Sequence, residues 1–307
     1  MKAGRLYKEI KGAEVMFGEP LAGHTSLNIG GRAEIFARPV DAESLSRLLG
    51  CAAGLPVILM GGGTNLLVAD GDIKALVIST GDMRGIEICG GREDGGAIIS
   101  VAAGEPLKKV LAFCLQNGLS GLEPLAGIPG SIGGAVAGNA GAHGLQIGAL
   151  VRSALVVDLS ASATVKKVSN EDLGFRYRGS SARGLITNVE IALKKGEPQE
   201  IKKLMVKNFD LKKKTQPLAA RSAGCVFKNP EGFSAGRLID AAGFKGARVG
   251  DIEVSRMHAN FFINKGKGTA ADFTELMGKV RDGVFKRSGV SLEPEIRMYL
   301  GDKNAGN

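Results

Sequence analysis

Two glycine-rich runs carry the most chemistry that this chain offers. Gly61-Gly62-Gly63-Thr64-Asn65 directly follows the apolar run PVILM, and Gly127-Ile128-Pro129-Gly130-Ser131-Ile132-Gly133-Gly134 lies further on, with Gly138 and Asn139 behind it. Glycine lets backbone N–H groups turn toward an anion and lets a large planar ligand approach the chain, so either loop could hold a diphosphate. A single cluster of this kind is as readily a tight turn, but two long ones together weaken that reading. Neither contains the G-K-[ST] of a P-loop or the G-x-G-x-x-G spacing of a dinucleotide fold, so a cofactor loop here belongs to another fold. Gly266-Lys267-Gly268-Thr269-Ala270-Ala271 does fit G-x-G-x-x-A. Its simpler reading is a turn into a helix capped by Thr269.

The other reactive residues are sparse. Cys51, Cys89, Cys114 and Cys225 lie far apart, with no C-x-x-C pair and no histidine at ligand spacing. Neither a disulfide framework nor a metal site is suggested, and three of the four are expected to fill the core. Lysine and arginine number 40 against 31 acidic residues, a net charge of +9 that suits nucleotides, diphosphates or nucleic acid. Aromatics at 5% and the absence of Trp argue against nucleic acid, leaving phosphorylated small molecules. The N-terminal stretch MKAGRLYKEIKGAEV lacks the apolar centre of a signal peptide. No uninterrupted apolar run reaches the roughly 18 residues of a membrane span, so a cytoplasmic protein without membrane insertion is expected. Oligomeric state is not fixed by the sequence, and a monomer is compatible with it.

These residues need elements to position them. At 307 residues, with 44% hydrophobic and 23% charged, the chain should form two or three domains. Residues 41–53 read as a helix capped by Asp41, with Leu45, Leu48, Leu49 and Ala52 on one face. Strands at 56–60 and 74–80 bracket the first glycine loop. After a hairpin-like stretch at 90–96 come a strand (AIISVAAG) and a helix with Pro106 near its start, Leu107, Val110, Leu111, Cys114 and Leu115 apolar, and Gly118 at its end. Short strands are expected at 152–158, 163–168 and 184–194. Residues 198–214 suggest an amphipathic helix with Ile201, Leu204, Met205 and Phe209 inward and lysines outward. A short helix (234–242), a strand (HANFFIN), a helix from Thr269 with Asp272 completing a capping-box-like start, and a strand (PEIRMYL) close the chain.

A longer pattern runs through these elements. His24-Thr25-Ser26-Leu27-Asn28-Ile29-Gly30-Gly31, GGGTNLLV, GLEPLAGIPGSIGGAVAGNAGAHG, Phe175-Arg176-Tyr177-Arg178, Gly224-Cys225-Val226-Phe227-Lys228-Asn229-Pro230 and Leu292-Glu293-Pro294-Glu295-Ile296-Arg297 follow one another in this order. From about residue 20 to 300 the chain thereby resembles the UDP-N-acetylenolpyruvoylglucosamine reductases (UDP-N-acetylmuramate dehydrogenases). The short stretch between Arg178 and the helix at 198 resembles the family's second type, which lacks an extra tyrosine loop over the substrate.

The resemblance implies an α+β fold: two subdomains clasping FAD as in vanillyl-alcohol-oxidase-type (PCMH) flavoproteins, and a smaller α+β domain for the UDP-sugar. It divides the chain into 1–80 with 292–307 returning to it, 81–198, and 205–290. It implies FAD and NADPH as cofactors and UDP-N-acetylglucosamine enolpyruvate as substrate. Gly61, Gly62, Gly63, Thr64, Asn65, Gly127, Ile128, Pro129, Gly130, Ser131, Gly133, Gly134, Gly138 and Asn139 would then bind FAD. Arg178 and Glu295 would hold and polarise the substrate carboxylate, Arg178 through its fixed charge and planar donor fork. Cys225 would protonate the α-carbon. The commoner family pattern has serine there, and a thiol of ordinary pKa about 8.5 is the stronger acid while still protonated at neutral pH. Tyr177, Asn229 and His258 would contact substrate. On residue type alone Arg178 reads as a surface arginine at a strand end, Glu295 as a strand-edge carboxylate, Cys225 as packing and His258 as a structural residue on a strand. Lys212, Lys213 and Lys214 read as a solvated helix end, with substrate phosphates the alternative. Two other functions remain open: another flavoenzyme of the same cofactor fold, and a non-enzymatic nucleotide-binding protein.

Overall fold

The computed structural model describes residues 10–301 apart from 53 and 161. Most of the N-terminal stretch read for a leader, the last position of the helix expected over 41–53, and the end of the 292–307 segment lie outside the described residues. The described residues form two compact units, one within 1–17, 35–62 and 75–211, the other within 18–34, 63–74 and 212–307.

The first unit holds two sheets, one of them only in part. One has the order Ala13–Pro20, Arg32–Pro39, Asp72–Ser79, Val57–Met60, the last two strands running parallel with Met60 opposite Ser79. Helix α1 (Ala42–Cys51) packs Leu45, Leu48 and Leu49 into the core on this side. Its start is set by a capping box in which Asp41 and Ser44 satisfy each other's backbone N–H groups. The other sheet is antiparallel, in the order Val165–Ser169, Val151–Val157, Leu185–Lys195, Ala97–Ala102, Ile86–Gly91, with Leu119–Ser120 also pairing to Leu185–Lys195. Helix α2 (Leu107–Gln116) buries Leu107, Val110, Leu111 and Cys114 in its core. Helix α3 (Ile132–Ala137) rises from the second glycine run, where the sequence suggested only a loop. Ser131 caps α3, and Gly133 packs so closely on Ala103 that an added Cβ would lie 2.7 Å from the alanine's Cβ.

Helix α4 (Pro198–Thr215) departs from the expected pattern. Ile201 is buried and Met205 partly so, but Leu204 and Phe209 are exposed, while Lys212 is buried. The inward face is thus narrower than helical periodicity suggested. The cysteines also divide differently from expectation: Cys114 is buried, Cys51 half-buried and Cys89 exposed. Cys89 lies on Ile86–Gly91, which forms one end of the antiparallel sheet.

The second unit centres on α6 (Ala270–Ser288), whose Phe273, Leu276, Val280 and Val284 are buried. Each such side chain contributes roughly 1.5–3 kcal/mol on leaving water. Thr269 and Asp272 form the expected capping box, and Gly289 ends the helix at φ 70°. Beside it lie α5 (Ala235–Ala241), capped by Ser234, and a three-stranded antiparallel sheet of Arg248–Val249, Ile252–Val254 and Phe262–Asn264. The strand read over HANFFIN is confined to its last three residues, because His258 to Phe261 form a turn closed by Phe261 N–H donating to His258 O. A short strand missed in the sequence, Leu66–Val68, follows the first glycine loop and pairs in parallel with Arg297–Tyr299.

Candidate active site

In the first unit the two glycine runs meet backbone to backbone. A Cβ added at Gly62 would lie 2.8 Å from Gly130 Cα, and one at Gly61 2.7 Å from Ser131 Oγ. No larger residue fits there without moving the chain. Gly62, Pro129 and Gly134 are exposed, so the paired loops present a strip of main chain with few side chains over it. Such a strip fits FAD, whose diphosphate and flat ring system need close approach to backbone amides. Ile128 and Gly127 lie half-buried in the same loop, and Gly138 ends α3. Ser131 uses its hydroxyl as the α3 cap, accepting from Gly134 N–H at 3.4 Å. Asn139 is buried, with its amide bonded within the unit.

The rest of the first loop belongs to the second unit. Gly63 has φ 64°, and a Cβ on it would lie 1.9 Å from His24 O, so glycine is required twice over. Thr64 is half-buried. Asn65 donates from Nδ2 to Glu295 O at 3.3 Å and accepts at its own carbonyl from Arg297 N–H at 3.1 Å.

Arg178 does not lie at a strand end. Residues 176–179 form a tight turn in which Arg176 N–H donates to Gly179 O at 2.9 Å and Gly179 N–H to Arg176 O at 3.1 Å. The third position of such a turn wants positive φ, normally from glycine or asparagine. Arg178 occupies it at φ 57°. An L-residue with a long side chain is disfavoured there by roughly 1–2 kcal/mol, and strain of this kind is concentrated at functional sites. Its Nη1 donates to Gly141 O at 3.1 Å, and the guanidinium sits 5.3 Å from the centre of the Tyr177 ring. Tyr177 is exposed. Phe175 anchors the turn from below, its ring filling the place that a side chain at Gly148 would need.

Cys225 and Glu295 come together through the backbone of the second unit. Glu295 N–H donates to Val226 O at 2.8 Å, and Phe227 and Pro294 form an antiparallel bridge. Cys225, half-buried, pairs by a similar bridge with Phe261. Gly224 before it has φ 78°. The strip is held by a residue that sequence reading passed over. Asn260 is buried, accepts from Phe227 N–H at 2.9 Å, donates to Phe227 O at 2.8 Å, and takes Val226 N–H at its own carbonyl. Only its place in an apolar run, HANFFIN, marked it, and no local rule distinguishes that from a solvated asparagine.

Asn229 accepts from Ala235 N–H at 2.9 Å, tying the GCVFKNP segment to the start of α5. Lys228 pairs with Glu293. His258 is half-buried with its ring edge-on to Phe261 at 4.9 Å, and Nδ1 accepts from Asn260 N–H at 3.3 Å. Burial pushes the imidazole below its usual pKa, with Lys245 adding to the effect, so it is neutral at neutral pH. Of the lysine run, Lys213 and Lys214 are exposed and Lys212 is buried, which corrects the reading of a wholly solvated helix end. The Gly266–Ala271 motif holds no nucleotide loop. Ala270 and Ala271 N–H groups donate to the Asp70 carboxylate at 3.0 and 3.1 Å, so an acidic side chain already fills the anion position at the start of α6.

Comparisons with known proteins place the whole chain. A family model for the UDP-N-acetylenolpyruvoylglucosamine reductase C-terminal domain matches residues 216–299, and an FAD binding domain model matches 33–169. The UDP-N-acetylenolpyruvoylglucosamine reductase of Moorella thermoacetica is 40% identical over 301 residues, 97% of each chain. The chain belongs to this reductase family. The enzyme of the same name from Geobacter sulfurreducens is 39% identical over 98% of both chains. The crystal structure of the Thermus caldophilus reductase superposes with a TM-score of 0.79 at 34% identity, covering 94% of this chain and 98% of that one. As a member of the UDP-N-acetylenolpyruvoylglucosamine reductases, the chain is an FAD-dependent oxidoreductase of peptidoglycan precursor synthesis, with an FAD-binding domain in a mixed helix-and-strand fold. Among the described residues no helix is long and apolar enough to cross a membrane.

Proposed function

We propose that the chain reduces UDP-N-acetylglucosamine enolpyruvate to UDP-N-acetylmuramate, with NADPH as the reductant. The reaction adds a hydride to the β-carbon of the enolpyruvyl group and a proton to its α-carbon, turning the C=C bond into a lactyl ether. Bound FAD supplies the relay that passes the hydride from NADPH to the substrate. The glycine-paired loops Gly61–Asn65 and Gly127–Gly134, with Gly138 following, hold the cofactor against bare backbone. The division into two cofactor-binding parts, 1–80 with 292–307 and 81–198, and a substrate-binding part, 205–290, belongs to the same reading.

Hydride addition leaves negative charge on the α-carbon and the adjoining carboxylate. Arg178 stabilises that charge with a planar, permanently charged donor fork, and Glu295 completes the polarisation of the carboxylate. Cys225 then releases its S–H proton to the α-carbon. Tyr177 and Asn229 contact the substrate, and His258, neutral in its buried setting, offers a hydrogen bond without a charge. The observation that carries this reading is Arg178 at φ 57°: a strained turn closed around an arginine is a device for presenting a guanidinium.

The test separates the two half-reactions. Stopped-flow absorbance should show flavin reduction by NADPH unchanged in Cys225→Ala, and reoxidation by the enol ether slowed by roughly 10²-fold or more. Cys225→Ser, which restores an O–H donor, should recover much of the rate. Equal slowing of both phases, or of neither, removes Cys225 from the proton-donor role.

A further inference from the structure

Asn139 is 2% exposed and sits at φ 42°, a conformation that asparagine tolerates better than other residues with side chains. Its amide makes three hydrogen bonds. Oδ1 accepts from Gly148 N–H at 3.0 Å, while Nδ2 donates to Arg176 O at 2.9 Å and to Gln146 Oε1 at 2.6 Å. Arg176 O is the carbonyl that closes the turn presenting Arg178, and it also receives Gly179 N–H. Gln146 lies on the small hairpin of Gly141–Ala142 and Leu145–Gln146, and Gly141 O is where the Arg178 guanidinium is received. Gly148 is the residue on which Phe175 packs. A single side chain therefore fastens the backbone that carries Arg178, the hairpin that receives its guanidinium and the floor beneath Phe175.

We propose that Asn139 is a positioning residue for Arg178, locking the strained Arg176–Gly179 turn so that the guanidinium is held ready for the substrate carboxylate. A left-handed arginine persists only where its surroundings over-determine it. With the amide donors gone, Arg176 O keeps only its bond from Gly179, and the turn can relax by rotating Arg178 out of φ 57°. The residue must be asparagine because the site asks for one acceptor and two donors on a short side chain at positive φ. Aspartate meets the conformational demand but supplies no donor when ionised, and it sets one carboxylate oxygen against Arg176 O.

The inference rests on the role proposed for Arg178, so the experiment tests the two separately. Asn139→Asp, Arg178→Ala and the double variant are purified as flavin-loaded enzymes. In N139D, compared per bound flavin, reoxidation by the enol ether should slow roughly tenfold to a hundredfold more than flavin reduction by NADPH does. Calorimetry should show affinity for the product, UDP-N-acetylmuramate, weakened several-fold in N139D. Adding N139D to R178A should change neither rate nor affinity by more than about twofold, because the interaction it supports is already gone. If R178A slows reoxidation and N139D does not, or if N139D slows both half-reactions alike, the positioning role is overturned while the reading of Arg178 stands. If R178A itself leaves reoxidation unchanged, both fall. Should N139D lose its flavin, Asn139→Gly, which keeps the positive φ, is measured in its place, and loss of flavin there too overturns the proposal in favour of a cofactor-holding role.

Discussion

Arg178 and Cys225 are brought to their places by opposite means. The arginine stands on a two-residue turn of the first unit, in a backbone conformation unfavourable to it, and is retained by hydrogen bonds from side chains and by Phe175 packed against Gly148. The thiol stands on extended backbone of the second unit, joined to the Glu295 segment by main-chain bonds and clamped by Asn260. On the roles proposed above, the charged group that would meet a small anion at a set angle is held in stored strain. The proposed proton donor, which would need only to lie within reach, sits on relaxed pairing. The contrast predicts that activity and stability separate at the arginine and go together at the clamp on the strip that carries the thiol.

The largest expected effect breaks the comparison at Arg178. Arg178→Gly removes the guanidinium and also the left-handed strain, so substrate reduction should fall by about 10³-fold. Unfolding free energy should change by less than about 1 kcal/mol, since relief of strain offsets the lost bond to Gly141. Urea denaturation read beside turnover checks this, and a loss of several kcal/mol would show that the turn is not strained. Next in size, Asn260→Ala leaves the buried N–H and C=O of Phe227 without their partner and should cost about 2–4 kcal/mol of stability, with activity lost as the fold loosens. An unfolding midpoint equal to the parent's would remove Asn260 as the clamp.

The smallest effect sharpens the contrast through pH. Burial lowers the His258 pKa in the folded state, so the unfolded chain takes up the proton first as pH falls. Stability is then whole above the unfolded value of about 6.5 and declines below it, through the folded pKa. His258→Gln should flatten that acid limb of the urea midpoint against pH, and no change in the limb would place its origin elsewhere.

Local rules read much of the scaffold. The cap at Asp41 and the capping box at Thr269 were visible because donor and acceptor lie within three residues, and the buried faces of α1, α2 and α6 because apolar residues recur at helical spacing. Where partners are distant, the same rules failed. Leu66–Val68 is a strand only because Arg297–Tyr299 lies beside it. Helix α3 forms in a glycine-rich run because Ser131 caps it and Ala103 leaves room for nothing larger than Gly133. Leu204 and Phe209 were placed inward by periodicity, yet nothing covers them enough to bury them.

The sequence by itself determined the family, through ordered motifs spread over nearly the whole chain, and most helix boundaries, through contacts confined to one turn. Tertiary structure alone decided that Gly62 must remain bare because Gly130 lies against it, and that Arg178 occupies a position normally left to glycine. It also decided that Asn139 and Asn260 bond inward, whereas their residue type alone suggests water. The physical reason is common to all four. A hydrogen bond or a steric limit is a property of two groups in space, and one strand of letters specifies which groups exist without stating which of them will touch.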